Sequence, residues 1–304
     1  VDFDGAGGLQ EASITTGAGD DFVEAIMDFG EDKGSTLAIS TGAGNDTILS
    51  GLEAQTEETF DAGDGDDFVD LSNQNENLLN NKNDSVDGGA GFDVLGLNSD
   101  DAATVNGDAD VQAVFAGFEA LRIRDDLDDS LDLGNFNDSV NELQLDGDVI
   151  GDETVEGFTS GGTVEIREDA DMTGRLIVGM DGATKANTPN DELNVELNAD
   201  LDGGDTNAVN LAVDGINIIN VNAVDRAAAD SDAGDGYVLN LTQEENVTDL
   251  NITGDRAVSY TSTGNDTALG TVDASASAGD VTVNLLQFSG TEGVDITGGG
   301  GDDA

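Results

Sequence analysis

Cysteine, histidine and tryptophan are absent from this chain. Without cysteine there are no disulfides, thiolate metal sites or thiol nucleophiles. Without histidine there are no imidazole bases and no histidine-bound metals, so carboxylate chemistry is the main catalytic option left. Sugar-cleaving sites that work by paired acids usually rest on aromatic platforms and basic residues. Here aromatics make up 4% of the chain, and Lys and Arg together number nine. The expectation is therefore a non-catalytic protein. Nine cations against 66 acidic residues, a formal charge of −57, also exclude nucleic acid as a partner, because the phosphate backbone would be repelled. No apolar run approaches the length of a membrane-spanning helix. Proline occurs once, at Pro189, and amphipathic stretches of helical length are scarce, which argues against a helical domain.

What the chain has in excess is glycine, aspartate and one short pattern. An apolar residue is followed three places later by G-x-G-x-D, and a second apolar residue stands two places after the Asp. The copies read Ile14…Gly17-Ala18-Gly19-Asp20-Asp21…Val23, Ile39…Gly42-Ala43-Gly44-Asn45-Asp46…Ile48, Phe60…Gly63-Asp64-Gly65-Asp66-Asp67…Val69 and Val86…Gly89-Ala90-Gly91-Phe92-Asp93…Leu95. Another begins at Ile296…Gly299-Gly300-Gly301-Asp302-Asp303. Self-similarity of this kind decides architecture ahead of any local propensity. Glycine permits positive φ, so the chain can turn sharply and bring several carbonyl oxygens to one point. Aspartate adds a hard anionic oxygen of the type Ca²⁺ prefers. The apolar residue after it opens a short strand whose side chain points inward.

These turns resemble the calcium-binding nonapeptides of the repeats-in-toxin (RTX) family. The resemblance implies an all-β fold, a calcium-stacked β-roll or parallel β-solenoid of short strands. It also implies that each ion lies between two successive stacked turns, so that four turns hold at least three ions. The metal-site residues carried over are Gly17, Gly19, Asp21, Gly42, Gly44, Asp46, Gly63, Asp64, Gly65, Asp67, Gly89, Gly91 and Asp93, with Gly299, Gly301 and Asp303 in the final copy. Asp21, Asp46, Asp67 and Asp93 are the leading carboxylates, and Asp20, Asp64 and Asp66 stand behind them. Gly17, Gly42, Gly63 and Gly89 are 25, 21 and 26 residues apart. One coil thus reads as a glycine turn on one edge and a longer polar turn on the other, at 27–35, 51–58 and 73–84, varying in length as surface loops do.

The acidity fits the same reading. Asp outnumbers Glu 48 to 18, and a charge of −57 opposes a compact state unless cations neutralise it. Folding coupled to Ca²⁺ is expected. Adaptation to high salt is the competing explanation of the acidity, but it accounts neither for the preference for Asp nor for its placement in repeated turns.

From about residue 98 to 295 the glycine turns fade while apolar-x-apolar strands continue, among them Leu121-Arg122-Ile123, Leu143-Gln144-Leu145, Val164-Glu165-Ile166, Leu211-Ala212-Val213 and Leu250-Asn251-Ile252. Three regions are expected: a β-roll at 1–97, a solenoid or sandwich at 98–295 and the start of a second array at 296–304. Val111, Val114, Phe115, Phe118 and Leu121 follow the spacing of one buried helical face, which allows a short helix near 109–121. Gly117-Phe118-Glu119-Ala120-Leu121-Arg122-Ile123 and Val272-Asp273-Ala274-Ser275 look like segments of RTX-type bacterial surface-layer proteins. Arg122, Arg124, Arg167 and Arg175 in or beside the strands depart from that pattern. The acidic stretches at 125–129, 200–205, 230–236 and 264–266 read as solvated loops before they read as isolated cation sites.

The resemblance implies a structural, extracellular protein of the bacterial surface that is exported by a type I system, folds on Ca²⁺ and assembles with itself into a layer or filament. The alternatives are a calcium-stiffened adhesin stalk and a non-catalytic module of a secreted enzyme. A chain that starts at Val1 and stops inside a repeat reads as a piece of a longer protein, with any contact to cell-surface glycan lying outside it. The sequence leaves open the source, the full-length boundaries, the subunit interface and the number of ions.

Overall fold

The structure, a computed structural model, describes residues 11–25, 35–51, 56–73, 84–136, 139–167, 171–180, 190–201, 206–225, 235–242, 246–262, 268–286, 288, 290 and 293–304. Nearly all of the regular structure is parallel β, wound as a solenoid, with two short α-helices. The choice between solenoid and sandwich for the later strands is thereby settled. The chain divides into two compact units, Val1–Arg124 with Asp132–Val140 and Asp125–Leu131 with Asn141–Ala304.

In the first unit the strands alternate between two sheets: β1 (Glu11–Thr15), β2 (Phe22–Ala25), β3 (Ser35–Ala43), β4 (Thr47–Ser50), β5 (Thr56–Asp64), β6 (Phe68–Asp70), β7 (Ser85–Asp87), β8 (Val94–Leu97), β9 (Phe115–Ala116) and β10 (Ala120–Ile123). Odd strands pair with odd and even with even, in sequence order and in parallel. The register turns the two apolar positions of the repeat into two core columns. The residue before the glycines gives Ile14, Ile39, Phe60, Val86 and Phe115, and the residue after the Asp gives Val23, Ile48, Val69, Leu95 and Leu121. All but Ile14 are buried. At roughly 1.5–3 kcal/mol for each large apolar side chain withdrawn from water, these columns are the main local driving force.

Two helices interrupt the coils. α1 (Ser99–Gly107) is capped by Asn98, whose side chain accepts from the Asp101 N–H at 2.8 Å. α2 (Ala109–Gln112) is capped by Asp108, which accepts from the Asp110 N–H at 2.9 Å. The helical stretch expected near 109–121 is thus confined to α2, because Phe115 and Ala120 onward pair as strands. Val111, Val114, Phe115, Phe118 and Leu121 are nonetheless all buried.

The strand β11 (Leu131–Asp132) falls where the chain passes between the units. In the second unit the strands are β12 (Glu142–Leu145), β13 (Asp152–Phe158), β14 (Gly162–Ile166), β15 (Arg175–Met180), β16 (Glu192–Leu197), β17 (Thr206–Asp214), β18 (Ile218–Ala223), β19 (Gly236–Thr242), β20 (Asp249–Gly254), β21 (Ala257–Ser262), β22 (Thr271–Ser277), β23 (Val281–Leu285) and β24 (Asp295–Thr297). They again stack in parallel, odd on odd and even on even. Inward columns such as Leu143, Val164, Val195, Val221 and Ile252 fill the core. Outward asparagines stack too: Asn220 donates to the Asn194 side chain at 3.1 Å, Asn251 to Asn220 at 2.8 Å, and Asn240 to Asn210 at 3.0 Å. Such amide ladders satisfy each side chain through its neighbour above and below and penalise any slip in register.

Candidate metal centre

In the first unit every glycine turn carries the chain from an odd strand to the next even one, so the turns stack as closely as the strands do. Their backbones bond directly: Ala43 N–H to the Gly17 carbonyl at 2.9 Å, Gly44 N–H to Asp64 at 2.8 Å, Gly65 N–H to Ala90 at 2.8 Å and Ala90 N–H to Gly63 at 2.7 Å. The approach leaves no room for side chains. A Cβ on Gly63 would lie 1.9 Å from the Gly42 carbonyl oxygen, and one on Gly91 would lie 1.8 Å from that of Gly65. Gly42, Gly44, Gly63, Gly65, Gly89 and Gly91 all hold positive φ, between 104° and 146°.

Two rows of side chains run along the stacked turns. In the inner row each carboxylate accepts from the backbone N–H of its counterpart one coil earlier. Asp46 Oδ1 accepts from Asp21 at 2.7 Å, Asp67 from Asp46 at 2.6 Å and Asp93 from Asp67 at 2.8 Å. The outer row runs the opposite way: Asp20 Oδ1 accepts from Asn45 N–H at 2.9 Å, Asn45 Oδ1 from Asp66 at 3.0 Å and Asp66 Oδ1 from Phe92 at 2.9 Å. The inner Asp46, Asp67 and Asp93 are 0–2% exposed, whereas Asp20, Asn45 and Asp66 face solvent.

The second carboxylate oxygen of each buried inner residue has no partner. Oδ2 of Asp46, Asp67 and Asp93 is inaccessible and accepts no hydrogen bond. A buried anionic oxygen without a partner is among the costliest groups a fold can hold, and a cation satisfies it. Asp21 and Asp303 differ. Asp21 Oδ2 accepts from its own Gly17 N–H at 3.3 Å, and Asp303 Oδ2 from Gly299 N–H at 2.8 Å. Elsewhere such donors are taken: Gly63 N–H bonds the Gly88 carbonyl, and Gly89 N–H bonds Asp87 Oδ1 at 3.1 Å.

Electrostatics point the same way. Burial first, then the neighbouring Asp46 and Asp66, holds the Asp67 carboxyl above the ordinary range. Burial, followed by repulsion from Asp67, Glu119 and Asp66, pushes Asp93 up to about 6. Both shifts mark charge with too little compensation in the protein alone. The donor set of carboxylate and carbonyl oxygens, with no nitrogen or sulfur, fits a hard cation such as Ca²⁺.

The expected residues are therefore brought together, with one difference in role. Asp64 has an exposed side chain, and its part in the stack is its carbonyl, which accepts from Gly44. In the second unit the final turn repeats both rows on the preceding one. Val281 N–H donates to Asp303 at 3.1 Å and Asp302 N–H to Asp280 at 2.7 Å, while Gly299 and Gly301 pack against Ser277 and Asp280. Sequence reasoning missed Asp280, although Gly279-Asp280 is a shortened copy of the turn. It also missed Glu119, whose carboxylate accepts from the Asp93 N–H at 2.9 Å. The acidic positions 202–205, 230–234 and 264–266 lie outside the described residues, as do most of the longer turns at 27–34, 52–55 and 74–83.

Among the described residues no helix is long and apolar enough to cross a membrane. No protein-family model matches the chain, and no curated protein matches it in sequence.

Proposed function

We infer that this is an extracellular structural repeat protein of the RTX type, non-catalytic, whose stacked turns bind Ca²⁺ and whose folding depends on it. The observation that carries the reading is the set of three partnerless buried oxygens on Asp46, Asp67 and Asp93. They lie in turns whose glycines admit only backbone, so the missing partner is a small cation and not a side chain. Bound Ca²⁺ would supply positive charge between successive turns. The chain would hold it through the inner carboxylates and the turn carbonyls. The parallel coils and their asparagine ladders suit a load-bearing scaffold. Secretion by a type I system and self-association into a layer or filament are the biological setting in which this scaffold works.

A calcium titration of the metal-stripped chain followed by far-ultraviolet circular dichroism tests the first half, with magnesium and molar KCl as controls. A cooperative gain of β signal with calcium alone is expected. Full β signal without calcium, or folding driven equally by KCl, would refute it and return the acidity to salt adaptation. Electron microscopy in millimolar calcium tests the second half: monodisperse monomers would count against assembly and favour a stalk.

A further inference from the structure

We propose that the outward face of β19, β21 and β23, in the second unit, is the surface on which a second copy of this chain docks. The proposal rests on the reading that copies associate, and adds which face they use. A quarter of the chain, 25%, is charged, yet β19, β21 and β23 hold no charged residue. β17 beside them has one, Asp214, its last residue. The parallel register lines up two outward rows, Val238, Ser259 and Thr282 in one and Asn240, Thr261 and Asn284 in the other. These side chains are half-buried on β19 and β21 and exposed at Thr282 and Asn284. The other sheet of the same unit differs. There β16, β20, β22 and β24 carry Glu192, Glu196, Asp249, Asp273 and Asp295 at solvent-facing positions.

Charge decides the occupant. Two copies at −57 each repel wherever their carboxylates would meet, and like charges set opposite one another across an interface are strongly disfavoured. The described arginines do not offset this, because each is already engaged within its own chain. Arg124 pairs with Asp70, Arg167 with Asp146 and Glu165, Arg175 with Asp152 and Arg256 with Asp225, while Arg122 stands over the Phe68 ring at 5.2 Å. A basic partner would be drawn to the acidic sheet. The neutral face is where two copies can touch without setting acid against acid, and the exposed Asp214 and Asp280 stand at its rim. A centre depleted of charge inside a polar rim is the composition of an interface. Four strands spaced about 4.8 Å apart and about 16 Å long present roughly 300 Å² per copy, and sheets that pack face to face lie about 10 Å apart. A standard stable pair buries about 800 Å² per partner, so this face suits one contact among several in an assembly.

Val238→Asp sets a carboxylate in the middle of the neutral face, and Ser275→Asp sets one at an exposed position of β22, on the acidic sheet, as the control. Circular dichroism with calcium establishes that each full chain folds. Sedimentation and negative-stain electron microscopy in millimolar calcium then read assembly. The expected result is that wild type and Ser275→Asp assemble alike, whereas Val238→Asp loses the assembled species. Assembly of Val238→Asp equal to wild type overturns the proposal and points to calcium bridging between acidic sheets, with the neutral face left for an uncharged polymer. Equal loss in both variants also overturns it, since charge added on either sheet would then suffice. A wild type that stays monomeric overturns the self-association reading itself, and this proposal with it. Should Val238→Asp fail to fold, Thr282→Glu, at a position already exposed, carries the same comparison.

Discussion

Two glycines at the same place in two repeats should respond to alanine in opposite ways. At Gly63 the added Cβ would sit 1.9 Å from the Gly42 carbonyl oxygen and 2.8 Å from its carbon, at φ +110°. The obstacle is backbone, so no side chain can swing aside. Holding a non-glycine residue in that region costs of order 1–3 kcal/mol. Relieving the overlap means parting the turns of Gly42 and Gly63, which weakens the Gly44 N–H bond to the Asp64 carbonyl at 2.8 Å and the Phe68 N–H bond to the Asp46 carbonyl at 2.9 Å. Each is worth about 0.5–1.5 kcal/mol net. The sum, roughly 2–6 kcal/mol, is a large part of the 5–15 kcal/mol that typically holds a domain together. At Gly17 nothing lies within 4 Å of the new Cβ, and φ is not in the positive region. Gly17→Ala should be neutral or stabilising by up to about 1 kcal/mol, through the unfolded chain. Urea unfolding of both variants at saturating calcium, read by circular dichroism, makes the comparison. Losses within about 1 kcal/mol of each other would refute the stacked-turn geometry.

The raised carboxyls give a pH dependence of definite sign. Asp67 and Asp93 bind protons more tightly folded than unfolded, so the compact metal-free state is favoured as pH falls through their raised values, about 6 for Asp93, towards the ordinary 3.8, and disfavoured as pH rises again. Calcium competes with those protons, so its apparent affinity should fall below pH 6; circular dichroism and calcium titration between pH 4.5 and 7.5 check both trends. Asp67→Asn keeps an acceptor for the Asp46 N–H at 2.6 Å and removes a buried charge. With chelator it should keep more β signal than the wild type, and its calcium-induced gain should be smaller, as measured by circular dichroism with and without calcium. In the second unit the buried Tyr237 hydroxyl accepts from the Ala199 N–H at 2.9 Å and donates to the Val224 carbonyl at 2.7 Å. Tyr237→Phe strands both, and should cost about 1–3 kcal/mol in urea unfolding with calcium present.

Much of this was legible in the chain because the repeat states turn, ligand and strand together. The flanking residues Ile39 and Ile48, or Phe60 and Val69, had to face inward once the glycines between them made a turn, and they do. Asp46, Asp67 and Asp93 were legible for the same reason. The solenoid of the later strands was not, since Leu143-Gln144-Leu145 alternates alike in a sandwich and in a coil; the pairing of β12 with β14 decides it. α1 escaped notice because its buried side is Ser99, Ala102 and Val105, too small to mark an apolar face. Glu119 was hidden by chemistry of the same kind in a different spelling, a longer acid on a turn with a single glycine.

The stacked turns also divide the labour between the two edges of the first unit. On the glycine edge residues are counted: three bonds of the inner row fix which turn meets which, although the partners are 25, 21 and 26 residues apart along the chain. Those unequal intervals mean that the opposite edge need not keep count. The pitch at which the carboxylates repeat is thus independent of how many residues separate one member of the inner row from the next.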